Sequence, residues 1–223
     1  MKTKNKVLLL MMCAVVLVAG SIFGTLAYLA DNDAVTNTFT VGQVHMKLDE
    51  AKVEPDGAYV TDKSNRVTEN EYHLIPGHTY IKDPTVHISD DSEDCYLFVK
   101  VENSIEDIET DEEGRTIASQ MERLNWAAVE GVDNVYVLAK GGADKYAVSG
   151  GADVVVFESF TIDGETVDND KIAEYDTMQH ETVIRVTAYA VQAAGFENQT
   201  PSEIWGAAFG ADNGADNGGK SLN

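Results

Sequence analysis

Residues 182–193, TVIRVTAYAVQA, limit most tightly what this chain can fold into. In an extended strand, Ile184, Val186, Ala188 and Ala190 share one face. Val183, Thr187, Tyr189 and Val191 share the other, where Arg185 is the one charged residue. Successive strand side chains point to opposite faces, so a strand apolar on both faces must be covered on both. The pattern predicts a central strand of a sheet.

Other segments read the same way. Tyr96–Glu102 predicts a second central strand, with Leu97, Val99 and Val101 on one face and Tyr96 and Phe98 on the other. Phe39 and Val41 alternate with Thr38 and Thr40, and Val44, Met46 and Leu48 with His45, Lys47 and Asp49, which is period two with one apolar face. Trp126–Val129 and Val135–Leu138 read as a hairpin. Val154–Phe157 and Phe160–Ile162 run toward the turn pair Asp163-Gly164. Tyr72–Ile75 reads as a brief strand stopped by Pro76-Gly77. Thr79–Lys82 and Thr85–Ile88 flank Asp83-Pro84, and a proline that cannot donate to a ladder predicts an edge or a bulge.

The polar stretch Leu48–Tyr72 predicts a long loop with a short strand at Ala58–Val60. Ile117, Met121 and Leu124 fall at helical spacing over Ile117–Leu124, and Lys171–Met178 reads as a short helix or a loop. About ten short strands with few helices and frequent turns predict an all-β fold, a single antiparallel β-sandwich with short helices in its loops, over residues 28–205. From Gly206 the chain becomes small and polar, and Ala211-Asp212-Asn213-Gly214 repeats as Ala215-Asp216-Asn217-Gly218, so residues 206–223 are expected to be a disordered tail. No LPxTG-type sorting motif ties that end to a wall.

The N-terminus reads as an export signal over residues 1–27. Lys2, Lys4 and Lys6 precede the apolar run Val7–Ala19, and Thr25-Leu26-Ala27 offers small residues two positions apart, as a signal peptidase pocket requires. Asp31 and Asp33 follow too closely for a confident membrane span; an uncleaved anchor is the alternative. Cys13 lies mid-run without the small residues of a lipobox.

The net charge of the whole chain is −22, and losing the three signal lysines makes the exported part more acidic still. Such a surface repels nucleic acid and anionic membrane, so neither is an expected partner. After cleavage Cys95 is the remaining cysteine, so no internal disulfide is available and the fold must hold by packing. Cys95 opens an apolar run and is expected in the core.

The stretch Gly24–Leu48, GTLAYLADNDAVTNTFTVGQVHMKL, resembles the start of the TasA/camelysin-type proteins of Gram-positive bacteria. Their pattern is a G-T-hydrophobic-A cleavage site, an aromatic, an acidic/Asn segment and T-x-T-F-T-x-G. Weaker similarity continues at Leu74–Gly77, Lys82–Val86, Tyr96–Val101 and Ala188–Ala193. The resemblance implies a jelly-roll sandwich, export through the SipW-type signal peptidase, and a place in extracellular biofilm-matrix or surface fibres. It marks Thr25, Ala27 and Tyr28 as processing residues. Cleavage would free residues 28–36 as a candidate donor strand, with Tyr28, Leu29 and Ala30 as its assembly residues, able to add to a neighbour's sheet and so build head-to-tail filaments. The partners expected are further copies of the chain or related fibre subunits.

The name camelysin also implies a metalloprotease. The histidines are His45, His73, His78, His87 and His180. A common zinc protease carries H-E-x-x-H on a helix, but His180-Glu181 continues as Thr182-Val183-Ile184, with no second histidine in a segment that reads as strand. There is no G-x-S-x-G and no phosphate-binding glycine loop opening a helix. The expectation is therefore a protein that is not an enzyme and holds no cofactor, with calcium as the one possible ion. Asp90, Asp91, Glu93 and Asp94 are the calcium candidates, without EF-hand spacing. The competing functions are a secreted camelysin-like metalloprotease and a monomeric cell-surface adhesin.

Overall fold

The computed structural model describes residues 39–41, 43–177 and 184–210, all within the unit Ala34–Asn223. In chain order the first strands are β1 (Phe39–Val41), β2 (Met46–Ala51), β3 (Arg66–Val67), β4 (Thr79–Ile81), β5 (Thr85–Ile88) and β6 (Cys95–Asn103). A 3-10 turn (Glu106–Ile108) and helix α1 (Ile117–Arg123) follow. Next come β7 (Trp126–Ala128), β8 (Val135–Leu138), β9 (Ala147–Val148), β10 (Asp153–Val155) and β11 (Ser159–Thr161). The last described elements are helix α2 (Asn169–Thr177), β12 (Ile184–Gln192) and helix α3 (Pro201–Ala208).

The fold is all-β with short helices, and its strands pair mostly antiparallel. The six-stranded sheet runs β1-β12-β6-β8-β7, with β9 also on β6. A four-stranded sheet runs β10-β5-β2-β3, and β11 pairs with β4. The two segments that read as central strands form the longest ladder, from Ile184↔Asn103 to Gln192↔Cys95. β7 and β8 form the expected hairpin. Among the described strands one pair is parallel: β1 lies against β12 with Phe39↔Tyr189 and Val41↔Val191.

The main core takes one face from each of the two larger sheets. Val44, Met46 and Leu48, Val86 and Ile88, Leu97, Val99 and Val101, and Ala188 and Ala190 all join it. The opposite face of β6 and β12, carrying Tyr96, Phe98, Tyr189 and Val191, packs under Ile204, Trp205 and Phe209. That is how a strand apolar on both faces is satisfied.

Several expectations need correction. The ordered chain passes the boundary expected at residue 205. Thr200 caps α3 and exchanges hydrogen bonds with Glu203, Pro201 opens the helix, and Phe209 is buried. Residues 211–223, with the repeated ADNG, lie outside the described residues. Tyr72–Ile75 is not a strand: the Tyr72 hydroxyl donates to Ile81 O at 3.0 Å and its ring meets Phe160 edge-on at 5.1 Å. Asp83-Pro84 is not at an edge, because β5 lies between β10 and β2. Pro84 sits just ahead of β5, where its missing N–H costs no ladder bond. Ala58–Val60 supplies a single bridge, Val53↔Tyr59. Gly57 beside it is required by space: with φ at +80°, a Cβ there would meet the Tyr80 Cα at 2.8 Å.

Cys95 is fully buried at the start of β6, and burial, with the nearby Asp94 charge, pushes its thiol up to about 12. Thiol reagents at neutral pH are expected to leave it unmodified in the folded chain and to label it after denaturation. Equal labelling rates in both states would contradict this burial.

Candidate functional site

The processing and assembly residues Thr25, Ala27, Tyr28, Leu29 and Ala30 lie outside the described residues, as does the remainder of 28–36. The first described segment after them, β1, is the terminal strand of the six-stranded sheet.

The acidic candidates gather in the turn between β5 and β6. Asp90, Asp91, Glu93 and Asp94 are exposed. Asp91 Oδ1 lies 3.6 Å from His45 Nδ1, and the Ser92 hydroxyl donates to His45 O at 2.9 Å. Asp91, Glu93 and Asp94 line a cleft of about 630 Å³ with Glu197 and Tyr96. Among the described residues, no three His, Cys, Asp or Glu side chains converge in a way that could hold a metal ion.

The histidines are dispersed. His78 Nε2 lies 2.7 Å from Asp56 O, with its ring edge-on to Tyr80 at 4.6 Å. The carbonyl of His73 accepts from the Tyr80 hydroxyl at 2.6 Å. His180 lies outside the described residues. His87 is the most engaged: Nδ1 is 2.6 Å from Asp153 Oδ1 and Nε2 is 2.9 Å from Asp49 Oδ1.

His87 belongs to a charged network that sequence patterning missed. Alternation turns Asp49 toward solvent, yet its side chain is only 3% exposed. Arg66 covers it from β3. Nε donates to Asp49 Oδ1 at 2.7 Å and Nη1 to Asp83 Oδ2 at 2.9 Å, while Nη2 reaches the carbonyls of Asp49 and Asp83. Lys47 Nζ lies 2.7 Å from Asp49 Oδ2. Asp83 Oδ1 accepts from the Ala51 N–H at 2.7 Å, so one guanidinium ties β2 to the turn before β5. On the core side of β2, Glu50 pairs with Lys82 at 2.6 Å and accepts from Asn70 at 2.8 Å. No sequence signal pointed here, because the partners are far apart along the chain and Arg66 falls in a stretch that reads as loop.

Burial raises the Asp49 pKa, but hydrogen bonds from Lys47, Arg66 and His87 outweigh it and hold the carboxyl below its usual range. A carboxylate depressed in the folded state stabilises fully above its unfolded pKa, and that contribution is lost as pH falls through the folded value. Glu109 has the opposite sign: burial raises its pKa despite bonds from the Ile117 N–H and Asn103, so its contribution is lost as pH rises. The urea midpoint of the wild type is expected to fall as pH drops below about 4, and Asp49→Asn to flatten part of that fall. An unchanged slope in the variant would remove Asp49 from the acid response.

No family model, curated protein or solved structure matches this chain.

Proposed function

We propose that the chain is a secreted structural subunit, or an accessory protein, of extracellular biofilm-matrix or surface fibres. In this reading it belongs with the TasA/camelysin-type proteins and its strands form a jelly-roll sandwich. A SipW-type signal peptidase cuts between Ala27 and Tyr28. The exported chain then acts in the extracellular matrix or at the cell surface, apart from membrane and nucleic acid. Its partners are copies of itself or related subunits.

The observation that supports strand donation is the position of β1. It closes one edge of the six-stranded sheet in parallel register with β12. In this reading Tyr28–Asp33, upstream of β1 in the chain, is the segment that joins the sheet edge of another copy. Main-chain hydrogen bonds would supply affinity, and the Tyr28 and Leu29 side chains would fill pockets.

The test is electron microscopy of protein beginning at Tyr28, beside protein carrying extra residues ahead of it. Fibres are expected from the first and not from the second. The exported chain, more acidic than the −22 of the whole sequence, sets a condition: subunits repel, so assembly should improve with ionic strength or divalent cations. Monomers from the Tyr28 form at every salt concentration would overturn the proposal in favour of the adhesin. Chelator-sensitive casein cleavage that disappears in His180→Ala would favour the protease.

A further inference from the structure

Glu50 holds an amine on one carboxylate oxygen and a carboxamide on the other. Lys82 Nζ donates to Oε2 at 2.6 Å, and Asn70 Nδ2 donates to Oε1 at 2.8 Å. Glu50 is 4% exposed and Lys82 9%. Asn70 is fixed twice more: Nδ2 also donates to Ala51 O at 2.9 Å, and Oδ1 accepts from the Val53 N–H at 3.0 Å. The Tyr72 ring lies 5.7 Å from Lys82 Nζ and packs edge-on against Tyr80 and Phe160. A nucleophile, a proton carrier and an acyl group therefore meet in one largely buried cluster beside the core, with a backbone N–H already on the acyl oxygen.

We propose that Lys82 and Asn70 become joined by an isopeptide bond, formed by the folded chain itself with Glu50 carrying the protons. Lys82 Nζ gives a proton to Glu50 Oε2, and the freed lone pair attacks Asn70 Cγ. The new N–C bond leaves an oxyanion on Oδ1, which the Val53 N–H stabilises. Glu50 delivers its proton to Nδ2, the Cγ–Nδ2 bond breaks, and ammonia departs. The former Lys82 nitrogen returns its extra proton through Glu50 to that ammonia. A lysine ammonium and a carboxamide are thus converted to a secondary amide and an ammonium ion, with no oxidant, reductant or cofactor. Confinement on one carboxylate supplies the proximity that makes this unusual aminolysis feasible. The product ties the end of β4 to the chain following β3.

Intact-mass measurement of the purified, denatured chain tests this. The wild type is expected to be lighter than its sequence by one ammonia, and its peptide map to contain one branched species joining the Lys82 and Asn70 peptides. Lys82→Arg keeps a cation against Glu50, and Glu50→Gln keeps the shape of the carrier; both are expected at full sequence mass, with cooperative unfolding showing that they fold. Folded wild type at full sequence mass overturns the proposal. So does an ammonia loss that persists in Lys82→Arg, which would mark cyclisation of Asn70 onto its own backbone. The readout is independent of whether the chain forms fibres.

Discussion

Replacing Arg66 by alanine is expected to cost about 3–5 kcal/mol, because removing one partner of a buried ion pair leaves the other uncompensated. The Arg66 side chain is 17% exposed, and it serves two carboxylates and two carbonyls. Without it, Asp49 keeps Lys47 and His87, while Asp83 keeps the Ala51 N–H and, among the described residues, no cation. Arg66→Lys should recover little, since an ammonium cannot reproduce the planar fork. The measurement is a denaturant midpoint at constant slope. A loss below about 1 kcal/mol would place the network in the class of exposed surface pairs and contradict its burial.

Deleting Tyr28–Asp33 is expected to convert fibres to monomers and leave the unfolding midpoint unchanged. The deletion stops short of Ala34 and so spares β1 and every described residue of the core. It removes Tyr28 and Leu29, whose burial in a neighbour would contribute roughly 2–5 kcal/mol before ordering costs. Size-exclusion chromatography and electron microscopy read the first effect, and circular dichroism the second. A deletion variant that polymerises as readily as the full exported chain refutes strand donation. A variant that fails to fold would place these residues in the subunit's own core.

The central strands were legible because their signal is local. Period-two alternation around Leu97-Phe98-Val99 and Ala188-Tyr189-Ala190 needs no distant partner to be read, and the same holds for α1 and the β7–β8 hairpin. Helix α3 carries a local signal too: Thr200-Pro201-Ser202-Glu203 holds an N-cap, an N1 proline and a capping-box glutamate. The small, polar composition that starts at Gly206 masks the end of this helix. The charged network was not legible, because alternation assigns Asp49 to solvent and only folding brings Arg66 and His87 over it. The Lys82–Glu50–Asn70 cluster was hidden for the same reason, its members being contributed by β2, the loop after β3 and the end of β4.

The direction of β1 bears on how this protein would carry load. A pull on the N-terminal segment along the strand axis draws β1 lengthwise past β12, so the bonds of Phe39–Val41 resist in shear and strain together. A pull across the sheet would peel them one after another. β12 is anchored through nine residue pairs to β6, which passes the force into the centre of the domain. Tension along that axis therefore meets the β1–β12 pairing in its stiffer direction.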